Sequence, residues 1–106
     1  MNLQKMMKQA QQMQQDVADA QQRIESQEFT GKAGNGMVNV RMNGKNRLLG
    51  VQIDTSLMQP DEKEMLEDLL VAAFNDARDQ VDSTTSAEMN RITGGLQLPP
   101  GMKLPF

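Results

Sequence analysis

The 106-residue sequence contains no cysteine, no histidine, no tryptophan and no tyrosine. Without Cys or His it cannot form a disulfide, a thiolate or imidazole zinc site, a cysteine nucleophile or a catalytic relay through imidazole. The expectation is a protein that is not an enzyme and needs no cofactor or metal. No run approaches the ~18 apolar residues of a membrane span, and the N-terminus is amphipathic and Gln-rich rather than a charged start before an apolar block. A cytoplasmic chain without a membrane partner is predicted. Aromatic volume is scarce too. Three Phe and ten Met among mostly aliphatic apolar residues leave one small domain a thin core, which a second copy of the chain would complete.

Acid is missing from two stretches. Residues 1–15 carry Lys5 and Lys8 without a carboxylate, and residues 29–53 carry Lys32, Arg41, Lys45 and Arg47 without one. From Asp54 to Asp82, nine carboxylates face only Lys63 and Arg78. The formal net charge of −3 therefore hides faces of opposite sign, and a patch rather than the total steers a partner.

Leu3, Met6, Ala10, Met13, Val17, Ala20 and Ile24 recur every three or four residues, which predicts a helix over residues 2–27 with one narrow apolar stripe. At ~1.5 Å per residue it would be about 39 Å long. Such a stripe either folds back on its own domain or pairs with another helix, and the length requires part of it to project. After Glu28 the period becomes two. Val38, Val40 and Met42 alternate with Met37, Asn39 and Arg41, and Leu49, Val51 and Ile53 repeat the pattern, predicting an antiparallel three-stranded meander within residues 28–54. Asn43-Gly44 has the signature of a type I′ hairpin turn.

The glycines of "TGKAGNGMVNV" do not make a phosphate loop. Gly36 precedes Met37 and Val38 where a Walker loop needs Lys and Ser or Thr, and Asn39 stands at the third glycine of a dinucleotide motif. Both motifs open a helix, whereas this segment opens a strand. Gly34 and Gly36 are expected to turn the chain with positive φ.

Pro60 and the acidic residues after it mark a helix start, and Met65, Leu66, Leu69, Leu70, Ala73, Phe74, Ala77 and Val81 give residues 60–82 a broad apolar face. Leu69, Leu70, Phe74 and Val81 are the core and dimer candidates. The carboxylates Glu62, Glu64, Glu67 and Asp68 lack any nucleophile or metal-type cluster beside them, so a solvated acidic face is expected. "DSTTSAE" predicts a break, with Thr85 and Glu88 as a capping box opening a short helix over 86–93 that stops at Gly94-Gly95. One α+β domain over residues 1–93 is thus expected. Residues 94–106 are expected to be a Gly/Pro-rich mobile tail, with a Pro-rich recognition ligand as the alternative.

"TGKAGNGMVNVRMNG", "EMLEDLLVAAFNDA" and "ITGGLQLPPGM", in that order and spacing, resemble the hallmark segments of the YbaB/EbfC family of nucleoid-associated DNA-binding proteins. The resemblance covers nearly the whole chain. It implies a tweezer-like homodimer whose first and last helices protrude as arms. It also implies sequence-tolerant binding of double-stranded DNA, with roles in nucleoid organisation and gene regulation. Asn35 replaces a glycine of the family's fuller run, and Asn39 replaces a frequent basic residue, which thins positive charge on the sheet. The DNA-binding candidates are accordingly Lys5, Lys8 and Arg91 on the arms first, with Arg41, Lys45 and Arg47 on the sheet as the rival set. A solvated surface cation is the alternative for each. The competing function is a protein-interaction adaptor of the replication or recombination machinery, using the acidic helix face and the Pro-rich tail.

Overall fold

A computed structural model describes residues 2–94. Helix α1 (Leu3–Ser26) leads into strands β1 (Glu28–Ala33), β2 (Val38–Asn43) and β3 (Leu48–Ile53). Two single 3₁₀ turns, Thr55–Leu57 and Pro60–Glu62, then precede helix α2 (Lys63–Thr93). The sheet is an antiparallel meander in the order β1-β2-β3, and α2 packs across one of its faces. The molecule measures 69 × 27 × 18 Å with a radius of gyration of 19.4 Å, against about 13 Å for a compact chain of 100 residues. The thin core and the overlong helix therefore appear as an elongated body.

The alternation in β2 places Val38, Val40 and Met42 on the α2 side, where all three are buried. They meet Phe29 from β1 and Ala73, Ala77 and Val81 from α2. The contact between α2 and β1 is close because small residues face each other: a Cβ on Gly31 would collide with the Ala73 carbonyl and with Ala77. The sheet edge at β1 is closed by α2 as well. Asp76 accepts the Lys32 amide hydrogen at 3.0 Å, and Gln80 Nε2 donates to the Thr30 carbonyl at 2.8 Å.

The β1–β2 connection takes Gly34, Asn35 and Gly36 through positive φ, at 62°, 53° and 89°, so these residues turn a corner as their types require. Open space surrounds the Cβ position of Gly36. Gly36→Val should therefore cost only the left-handed backbone penalty, about 1–2 kcal/mol, in a urea unfolding titration. A much larger loss would show that the loop packs against something.

Three expectations are corrected. The β2–β3 hairpin is not a type I′ turn at Asn43-Gly44: Asn46, with φ 62°, is the left-handed residue. Asn43 accepts the Asn46 amide on its carbonyl, and its Oδ1 accepts the Lys45 and Arg47 amides. Gly44 is required for another reason, since a Cβ there would collide with the Ile24 carbonyl at the end of α1. In β3, Arg41 faces Gly50 but Met42 faces Leu48. Leu49 is thus the extra residue of a bulge, and Leu48 joins Val51 and Ile53 on the α2 side.

The third correction concerns α2, which runs unbroken through Asp82–Ser86 to Thr93, so the separate helix over 86–93 does not exist. Helix propensity disfavours Ser and Thr by about 0.5 kcal/mol each. Burial of Val81 and Met89, at roughly 1.5–3 kcal/mol per large apolar side chain, outweighs that. The capping box does not form either: Thr85 lies inside α2, where no helix start leaves amides to cap, and the Glu88 carboxylate is held by Arg91 and Arg23 instead. The helix does stop at Gly94 as expected, in a left-handed cap with φ 65°. Gly95 and the Pro-rich tail lie outside the described residues.

Candidate nucleic-acid interface

The C-terminal half of the α1 stripe folds back on its own domain. Ile24 joins the main core near Val81, while Val17 and Ala20 pack with Met89 and Ile92, so the C-terminal half of α1 lies antiparallel to the end of α2. The N-terminal half is uncovered, with Leu3 69% and Met6 49% exposed. Asn2 starts this segment by accepting the Lys5 amide on its side chain at 3.3 Å. Lys5 and Lys8 are exposed and take part in no ion pair among the described residues. Together with the lack of acid in this segment, that leaves a positively charged, projecting helix end.

Arg91 lies on the neighbouring helix, two residues beyond Met89, offset from Lys8 by roughly 10 Å along the axes. Its charge is shared. Arg91 Nη2 and Nε donate to Glu88 Oε2 at 2.8 and 3.2 Å, and Arg23 Nη2 from α1 reaches the same oxygen at 3.4 Å. The Arg91 hydrogen bond, helped by the charges of Arg91 and Arg23 and opposed by partial desolvation, holds the Glu88 carboxyl below the usual carboxylate range. Glu88 is therefore ionised at neutral pH. Arg23 has no place among the sequence-derived candidates, since a pairing across 65 positions leaves no local signature.

The rival cations lie elsewhere. Arg41 points from the open face of the sheet and pairs diagonally with Glu28 at 2.8 Å. It lines a shallow depression of about 280 Å³ with Thr30, Lys32, Asn39, Gly50 and Gln52. Lys45 sits on the β2–β3 loop, 3.8 Å from Glu25 of α1, and Arg47 beside it is exposed without an ion pair among the described residues. Glu25 is 17 residues from Lys8, so the loop cations lie about 26 Å along α1 from the arm. The six candidates thus form two separate groups. Asn39, beside Arg41 on the open face of the sheet, adds no charge there; its amide nitrogen donates to the Gly36 carbonyl at 3.1 Å.

Of the apolar candidates, Val81 is buried in the core, while Leu69, Leu70 and Phe74 are half-buried at its margin. Leu70 and Phe74 line a wholly apolar groove of about 290 Å³ with Val40, Leu48, Val51 and Val71. Leu48, Leu49, Val51 and Val71 are 40–62% exposed. No hydrogen bond among the described residues covers the outer edge of β3, in contrast to the closed edge at β1.

No described helix is long and apolar enough to cross a membrane. The sequence is 51% identical over 105 residues to a nucleoid-associated protein of Granulibacter bethesdensis, covering 99% of this chain and 98% of that one. A nucleoid-associated protein of Rhodospirillum rubrum is 46% identical with the same coverage. The fold matches the crystal structure of an uncharacterized Helicobacter pylori protein with a TM-score of 0.72 at 26% identity, over 89% of this chain and 99% of that one. A family model matches residues 1–96, and on that match, supported by both relatives, the chain belongs to the YbaB/EbfC DNA-binding family.

Proposed function

We propose that the protein is a homodimer that binds duplex DNA with little sequence preference, through phosphate contacts made by its helical arms. Located at the nucleoid in the cytoplasm, it bends or bridges DNA and so influences nucleoid organisation and gene expression. The observation that carries this reading is the acid-free, exposed end of α1, where Lys5 and Lys8 project with no carboxylate to neutralise them. Phosphate contacts supply affinity and register without base information. Duplexes of equal length and unrelated sequence should therefore bind within a few fold of one another in a low-salt gel shift. Preference for one of them by orders of magnitude would overturn the sequence-tolerant reading.

The dimer is supported by the asymmetry of the sheet. β1 is sealed by Asp76 and Gln80, whereas β3 is open and carries exposed Leu48, Leu49 and Val51 beside the apolar groove on α2. An open edge with an apolar flank is a site for another chain, and a second copy extends the thin core across it. Val71, 62% exposed, separates assembly from folding. Val71→Glu should leave helix content intact and convert the dimer to a monomer in sedimentation velocity at micromolar concentration. A dimer that survives the change would place the interface elsewhere.

The acidic face of α2 with exposed Glu64, Glu67 and Asp68 supports the second reading, an adaptor for replication or recombination proteins. Failure of the parent protein to bind any duplex at low salt would put that reading first.

A further inference from the structure

We propose that Glu88 is an internal counter-anion that masks Arg23 and Arg91, so that a polyanion must displace it before the arm presents its full charge. The proposal rests on the reading of the arm as a phosphate-binding surface and adds a residue that limits its affinity. A single carboxylate oxygen, Oε2, accepts from Arg23 on α1 and from both Nε and Nη2 of Arg91 on α2. The Glu88 side chain is 29% exposed, while Arg23 and Arg91 are 58% and 64% exposed. The carboxylate thus lies back between the helices and the guanidiniums face outward.

The Nε–Nη2 edge of Arg91 is the fork that a phosphate would occupy, and Glu88 already occupies it. The trio carries a net charge of +1 where the two arginines alone would carry +2. Because the carboxylate is tethered to the same helix as Arg91, its effective concentration exceeds that of a free anion, and a lone small anion competes poorly. A polymer anchored by Lys5 and Lys8 meets the arginines with its own effective concentration. Exposed ion pairs hold weakly against such a competitor. Glu88 therefore sets a threshold that favours long polyanions over mononucleotides and inorganic phosphate.

The test compares Glu88→Gln with Glu67→Gln, which removes the same charge from α2 where no ion pair exists among the described residues. Glutamine keeps an acceptor between the helices but frees the charge. Glu88→Gln should elute from immobilised heparin at higher salt than both the parent and Glu67→Gln. It should bind a duplex at least about tenfold more tightly at low salt, with log K falling against log salt more steeply by about 1 per chain. Adding Arg23→Gln and Arg91→Gln should erase the gain. Masking is overturned if Glu88→Gln behaves as Glu67→Gln does, or if its gain survives removal of both arginines. If Glu88→Gln shifts on heparin while neither it nor the parent binds duplex, masking stands and the DNA reading falls.

Discussion

Replacing Gly31 with Val should come close to unfolding the protein. Gly31 pairs with Val40 in the register of β1 and β2, and its α-carbon faces the middle of α2. A Cβ there meets the Ala73 carbonyl and the Ala77 amide and Cβ. These are mostly backbone atoms of a helix, which no rotamer change removes. The sheet and α2 would have to separate, and the contacts of Val38, Val40, Ala73 and Ala77, all 0–1% exposed, would open along with them. Overpacking a well-packed site costs about 1–3 kcal/mol and more where neighbours cannot yield; about 3 kcal/mol or more is expected here. Against a total stability of roughly 5–15 kcal/mol for a domain, that is a large share. The thermal midpoint should fall by at least about 12 °C, with Gly31→Ala intermediate. Gly36→Val is the contrast, since its Cβ meets open space. If both variants melt alike, the close packing of β1 on α2 is wrong.

The role of Gly31 also marks the limit of what the chain's pattern discloses. Alternation in β2 and the three-to-four spacing in α1 and α2 are local properties, and the meander and both helices follow from them. Gly34 and Gly36 were legible because a tight turn demands positive φ. Gly31 and Gly44 have no such local cause. Each exists because a distant backbone passes close by, α2 in one case and the end of α1 in the other. The unbroken α2 has the same origin: "DSTTSAE" contains weak helix formers, and the partner that overrides them, the Val17–Ala20 segment, lies more than 60 positions earlier. The Leu49 bulge leaves the hydrophobic pattern nearly unchanged, because Leu48 and Leu49 are both leucines. For the candidate interface, the acid-free segments were visible as charge patterning. Which of their cations are already neutralised was not, since Arg41 with Glu28 and Lys45 with Glu25 become neighbours only through the hairpin and its packing on α1.

Those ion pairs sharpen the electrostatic test of DNA binding. In a dimer, the unpaired Lys5 and Lys8 supply four charges, and four phosphate contacts give log K against log salt a slope of about −3.6. The Arg23–Glu88–Arg91 trio of each chain, with its net charge of +1, would steepen this towards about −5 where it too meets phosphate. The parent slope should therefore lie between these values, and duplex affinity should fall by two to three decades between about 50 and 200 mM salt. Changing Lys5 and Lys8 to Gln removes the four unpaired charges while keeping residues that favour helix. Both sites are exposed, so stability should change by no more than about 0.5 kcal/mol. The slope of this variant should shrink to about −2 or less, the share left to the net +1 of each Arg23–Glu88–Arg91 trio, and the same rise in salt should cost little more than one decade. Fluorescence anisotropy with a short labelled duplex across a salt series reads both quantities directly. A variant that keeps the parental slope and affinity would move the phosphates off the arms and onto the group formed by Arg41, Lys45 and Arg47. Gln substitutions there would then have to flatten the slope in place of those at Lys5 and Lys8.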